Sequence, residues 1–149
     1  MNDLLENIST MFKKYGVKSV TMDDIAREFG ISKKTLYQHF ENKTDAVYKV
    51  AHFEFEKERE ELEKLCQEHK HVIDQLYAIS KLMIEINFKL TFSLTYSMDK
   101  YYPKIWKELL NKRETHILNI ITNNFNTGIK QGIYRKDVDM NIIQHFYAF

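Results

Sequence analysis

Apolar residues recur at helical spacing along nearly the whole of this chain. Leu4, Leu5, Ile8, Met11, Phe12 and Tyr15 mark a first helix, which Gly16 stops. Val17 to Val20 reads as a short extended connector whose two valines plug the same small core. Ile25, Ala26 and Phe29 form the stripe of a short second helix. Thr21 caps it, Asp24 closes a capping box, and Gly30 ends it in the left-handed conformation that costs glycine least. Ile31 is the buried residue of the turn that follows. Ser32 then caps a third helix running to Phe40, with Leu36 and Phe40 one turn apart and pointing inward.

Beyond Phe40, Glu41-Asn42 makes a turn and Asn42 caps a long helix over about 43–67. Ala46, Val47 and Val50 serve the N-terminal core, whereas Leu62 and Leu65 serve whatever follows. Between them Glu54 to Glu61 is almost entirely charged and reads as a solvated face with intrahelical pairs. Glu68 to His71 is a polar break. Val72 to Thr95 is the most apolar helix, with stripes on more than one side, so several neighbours should bury it. Ser97 to Pro103 reads as a bend, followed by an amphipathic helix from Ile105 to Phe125 that ends between Gly128 and Gly132. Asp139 caps a last helix, Met140 to Phe149, carrying Ile142, Ile143, Phe146, Tyr147 and Phe149. The fold class is therefore all-α.

The third helix carries the chemistry. With Leu36 and Phe40 inward, about 100° per residue puts Lys34 and Gln38 roughly opposite them, flanked by Thr35, Tyr37 and His39. That outward face holds a cation, an amide, hydroxyls and an imidazole, and no acidic group of its own. Such groups donate to phosphates and read base edges. Two helices joined by a tight turn, the second facing outward, is the helix-turn-helix arrangement, although a plain surface hairpin satisfies the same pattern.

Composition narrows the field. A chain of 149 residues with one proline and four glycines fits a nearly all-helical globular unit. Its net charge is only +1, so attraction to DNA has to come from a local patch rather than from the whole molecule. The single Cys66 excludes an intrachain disulfide and suits a reducing cytoplasm, where the protein is expected. No apolar run approaches the roughly 20 residues needed to span a bilayer. Nothing resembles a phosphate loop, a nucleophile elbow, a metal cluster or a spaced carboxylate pair, so no enzyme, metal or cofactor is expected. His69-x-His71 supplies two ligands at most.

The run T-x-x-D-I-A-x-x-F-G-I-S-x-x-T-L-Y-x-H-F-x-N-K, from Thr21 to Lys43, resembles the signature of the tetracycline-repressor (TetR) family of bacterial regulators. Thr21, Ile25, Ala26, Gly30, Ser32, Thr35, Leu36, Tyr37, His39, Phe40, Asn42 and Lys43 fall on the pattern without a gap. An aromatic-proline-helix junction at Tyr102-Pro103 and the segment G-I-Y-R-x-D-x-D at Gly132 to Asp139 are similar more loosely. The resemblance implies a helix-turn-helix DNA-binding domain over residues 1–45 and a helical ligand-sensing and dimerisation domain over 46–149. It implies a homodimeric, ligand-responsive repressor on a palindromic operator. Lys33, Lys34, Thr35 and Gln38 would then reach into the groove, and Thr21, Tyr37, His39 and Lys43 would contact phosphates. Family members usually continue through the last helix and one more, so the chain is expected to be C-terminally truncated.

For the sensory half, Phe88, Phe92, Tyr96, Trp106 and His116 are the candidates to line a cavity for a small apolar or aromatic ligand. Plain core packing accounts for them equally well. Two other functions remain compatible with the pattern: a helical protein-interaction adaptor that uses the exposed C-terminal stripe, and a small enzyme with a site in the C-terminal lobe. Salt-dependent binding to a duplex separates the regulator from both.

Overall fold

The computed structural model of the chain describes residues 2–89 and 92–147, with side chains throughout except at 87–89, 92 and 93. Eight helices and no strand occur among the described residues. They are α1 (Asn2–Tyr15), α2 (Met22–Glu28), α3 (Lys33–Leu36), α4 (Lys43–Glu68), α5 (Val72–Lys89), α6 (Phe92–Tyr101), α7 (Pro103–Lys130) and α8 (Met140–Tyr147). None is long and apolar enough to cross a membrane.

Packing divides the chain into two compact units, Met1–Lys57 with Leu90–Leu109, and Glu58–Lys89 with Leu110–Phe149. A cut after Asp45 is therefore not where the compact units part. The reason lies in the first core. Ile8, Phe12, Val17, Val20, Ile25, Leu36, Phe40, Ala46 and Val47 are buried together with Met98 of α6 and Ile105 and Leu109 of α7. The helix-turn-helix thus shares its interior with residues more than fifty positions downstream. Gly16, at φ +84, ends α1 by donating its N–H to the Phe12 carbonyl at 2.9 Å. The connector after it is a turn rather than extended chain, closed by Val20 N donating to Gly16 O at 3.3 Å, and both valines reach the core.

The charged stretch of α4 is not simply a solvated face. Lys13 meets Glu54 at 2.7 Å and Lys57 meets Glu6 at 2.7 Å, so two ion pairs fasten α1 along α4. Burial works against the Glu54 charge. Donation from Lys13 and Ser9 outweighs it and brings the carboxyl below its ordinary pKa. The expected bend at Ser97 is likewise the last turn of α6. Tyr102 N still donates to Met98 O at 2.9 Å, and the run breaks only at Pro103, which has no N–H and opens α7.

In the second unit Leu62, Ile79, Leu82, Ile117, Ile121 and Phe125 form the core. Asn124 is 2% exposed and fully engaged. Its Nδ2 donates to Val72 O at 2.9 Å and to Gln75 Oε1 at 2.7 Å, and its Oδ1 accepts from the Tyr134 hydroxyl at 3.1 Å. Gln75 in turn donates to the carbonyls of Cys66 and His69, which ties the α4–α5 turn down. Arg113 meets Glu58 at 2.7 Å, where burial raises the Glu58 carboxyl pKa against the pull of the guanidinium. On α8, Ile143 and Tyr147 lean on this core while Ile142 and Phe146 stand exposed.

Helix α7 runs through Gly128 and ends beside Gly132, at φ +72. The Tyr134 ring folds back onto Gly128, where an added Cβ would run into it. Alanine in a helix normally outdoes glycine by up to about 1 kcal/mol. Here the clash is expected to reverse the sign, so that Gly128→Ala lowers the urea unfolding free energy by about 1–3 kcal/mol. A stabilised variant would place the Tyr134 ring elsewhere.

Candidate nucleic-acid interface

The helix-turn-helix is assembled from local bonds that leave little freedom. Thr21 Oγ1 accepts from Asp24 N at 3.1 Å and donates to Asp24 Oδ2 at 2.7 Å, while Thr21 N also donates to that oxygen at 2.9 Å. The capping box is complete, and those bonds hold the Asp24 carboxyl below its ordinary pKa. Gly30, at φ +61, turns the chain, and Ile31 N reaches back to Ala26 O at 3.0 Å. Ile31 is only half-buried. Ser32 Oγ accepts from Thr35 N at 3.0 Å and starts α3.

Helix α3 is shorter than its apolar pattern suggests. It spans Lys33–Leu36 and then tightens, with Gln38 N donating to Thr35 O and His39 N to Leu36 O. These three-residue bonds overwind the segment. Leu36 and Phe40 nevertheless remain 0% and 1% exposed, which fixes the roll of the segment about its axis. Lys33, Lys34, Tyr37 and Gln38 all face solvent as a result, and Thr35 and His39 are half-buried at the flanks.

The candidate contact residues are not equally free. Both donors of Thr21 point at Asp24 rather than outward. Lys43 Nζ donates to Lys18 O at 2.8 Å, and burial lowers its pKa, so this side chain braces the connector ahead of α2. Thr35 Oγ1 shares a hydrogen bond with Ser32 Oγ at 2.8 Å. Lys33 Nζ sits 2.7 Å from Asp23 Oδ2, so a neighbouring helix supplies the acid that α3 itself lacks. Lys34 has no ion-pair partner among the described residues. Lys49, which the sequence pattern did not single out, donates to His39 O at 2.9 Å and to Asp45 Oδ2 at 2.8 Å, clamping the end of the segment that α3 opens. Asn42 Oδ1 accepts from Asp45 N at 3.0 Å and opens α4.

Comparison with known proteins finds similarity to bacterial regulators. The model for bacterial regulatory proteins of the tetR family matches residues 4–47. The HTH-type transcriptional regulator YhgD of Bacillus subtilis is 28% identical over 137 residues, covering 87% of this chain and 69% of that protein. The family match is confined to the N-terminal segment. The negative regulator of the biofilm operon icaADBC, IcaR of Staphylococcus aureus, is 25% identical over 118 residues. That match covers 78% of this chain but only 57% of IcaR, less than two thirds of its length. In fold, the transcriptional regulator FadR of Bacillus subtilis, solved with stearoyl-CoA, superposes with a TM-score of 0.75 at 16% identity. The superposition covers 97% of this chain and 78% of FadR.

The candidate ligand residues are divided between the two units. The side chains of Phe88 and Phe92 lie outside the described residues. Tyr96 is half exposed, and its hydroxyl accepts from Lys100 Nζ at 2.9 Å. Trp106 packs on the first core. His116 belongs to the second unit, where its buried Nε2 has no hydrogen-bond partner among the described residues. No group of three metal-ligating side chains occurs among the described residues.

Because Ser32 anchors the first turn of α3, Ser32→Ala should cost about 1 kcal/mol of stability. It should also loosen any duplex contact made by Lys33 and Lys34. Denaturant unfolding and duplex titration check the two effects, and unchanged values in both would remove the cap from the account.

Proposed function

We propose that this chain represses transcription as a homodimer on a palindromic operator, with α3 in the major groove and a small apolar or aromatic ligand as its signal. One observation carries the reading: Leu36 and Phe40 are fully buried, so Lys34 and Gln38 are turned outward on a capped segment with no acid of its own. In the groove, Lys33, Lys34, Thr35 and Gln38 meet base edges, an amide at 38 suiting adenine N6 and N7. Tyr37 and His39 reach the flanking phosphates. Lys43 has three N–H donors, so one can stay on the Lys18 carbonyl while another meets a phosphate beside the start of α4. Thr21 contributes by holding α2 in place.

A single module offers too little surface for tight, specific binding, which is why a dimer on two half-sites is the working form. Helix α4 begins beside the recognition segment and ends in the second core, contributing Ala46 and Val47 to one interior and Leu62 to the other. A ligand that tilts α4 changes the separation of the two recognition segments and so their fit to successive grooves. Coupling of this sort amounts to about 1–3 kcal/mol. The operator, and DNA itself, place the protein in the cytoplasm.

Selection of bound sequences from a random duplex pool tests the reading and is expected to return an inverted repeat. Failure to retain any duplex at low salt would end it. On the selected site, Gln38→Ala should relax discrimination at one base pair, by about 1–3 kcal/mol. Tyr37→Phe should instead weaken all duplexes alike and leave the salt slope unchanged, because it removes a donor and not a charge. Equal loss of discrimination in both variants would undo the assignment of roles.

A further inference from the structure

The proposed function leaves one contact of the interface unexplained. Lys33, the first residue of α3, has its ammonium 2.7 Å from the Asp23 carboxylate, on the first turn of α2. Both side chains are exposed, at 62% and 51%. An exposed pair of this kind adds little to folding. A carboxylate on a surface that faces phosphates also lowers attraction to any duplex. The neighbouring Asp24 is accounted for, since its carboxylate completes the capping box with Thr21. Asp23, also in the first turn of α2, suits the positive helix end but makes no capping bond.

Resting on that reading, we infer that Asp23 is a specificity-setting residue, which converts Lys33 from a free charge into an oriented donor. A free lysine ammonium is drawn to every phosphate, and each phosphate it neutralises steepens the salt dependence of binding to all sequences alike. Paired with Asp23, Lys33 is locally neutral and loses that indiscriminate pull. One of its three N–H donors points at the carboxylate and two remain. A base edge with acceptors in reach, such as guanine O6 and N7, satisfies those two donors. A phosphate gives less, because its approach also meets the Asp23 charge. Lys34, without an ion-pair partner among the described residues, keeps the ordinary electrostatic role. Two adjacent lysines in the groove thus differ: Lys34 brings its full charge along with its base contact, and Lys33 acts by selection alone.

The test is a double-mutant cycle on the intact chain, using the site recovered by wild-type selection and a duplex of randomised sequence. Asp23→Asn should tighten binding to the randomised duplex and steepen its salt slope by about one unit. The ratio of selected to randomised affinity should fall by roughly tenfold. In a Lys33→Gln background the same substitution should change the slope much less, since only the direct repulsion by Asp23 is then removed. Asp23→Glu, which keeps the charge, should restore most of the discrimination. Equal effects of Asp23→Asn in both backgrounds would overturn the inference and leave the regulator reading standing. A wild-type chain that retains no duplex would overturn both. Matching unfolding curves for Asp23→Asn and wild type keep a folding defect from imitating the result.

Discussion

Two side chains one helical turn apart set the geometry of the interface. Leu36 and Phe40 are the inward anchors of the recognition segment, and both vanish into the core that α1, α2 and α4 build. Their burial leaves only one roll angle for the segment. Everything that can touch a duplex is then determined by what remains on the outside. The tightening after Leu36 matters here, because it keeps Phe40 inward although the regular helix has already ended. Capping at Ser32 and the Lys49 clamp on His39 hold the two ends of a piece too short to be stable alone.

The shared interior extends that constraint to distant sequence. Met98, Ile105 and Leu109 lie in the same core as Ile8 and Phe12, so α6 and the start of α7 are part of the body that presents the recognition segment. Lys18 strengthens this arrangement. Its carbonyl receives Lys43, while its ammonium donates to the Tyr101 hydroxyl at 2.9 Å and lies 4.4 Å from the centre of that ring. The connector between α1 and α2 is therefore gripped from two sides. Displacement of α6 would be felt at the entry to the helix-turn-helix as well as along α4.

Much of this was legible in the residues themselves, and the misses have physical causes. Helix caps and glycine stops are local chemistry, which is why Thr21, Ser32, Gly16, Gly30 and Pro103 could be read directly. The inward and outward faces of 33–40 follow from two apolar anchors and a turn angle. Pairing between elements is not local. Nothing in the spacing of Lys33 and Asp23, Lys43 and Lys18, or Lys13 and Glu54 announces that the fold brings them together, so the charged stretch of α4 looked merely solvated. Asn124 was hidden for the same reason: an asparagine in a helix looks like surface until Val72, Gln75 and Tyr134 are found around it. The long stretch of chain between Ala26 and Ile105 conceals their common core equally well.

The fold-back of Tyr134 ties three positions into one choice. A side chain at 128 demands a smaller ring at 134, yet shortening Tyr134 strips Asn124 of the hydroxyl that satisfies its buried oxygen. Either change alone costs stability, and making both leaves an unsatisfied amide oxygen in the interior. Variation at this corner of the protein should therefore arrive as concerted triplets, with glycine, tyrosine and asparagine replaced together or kept together.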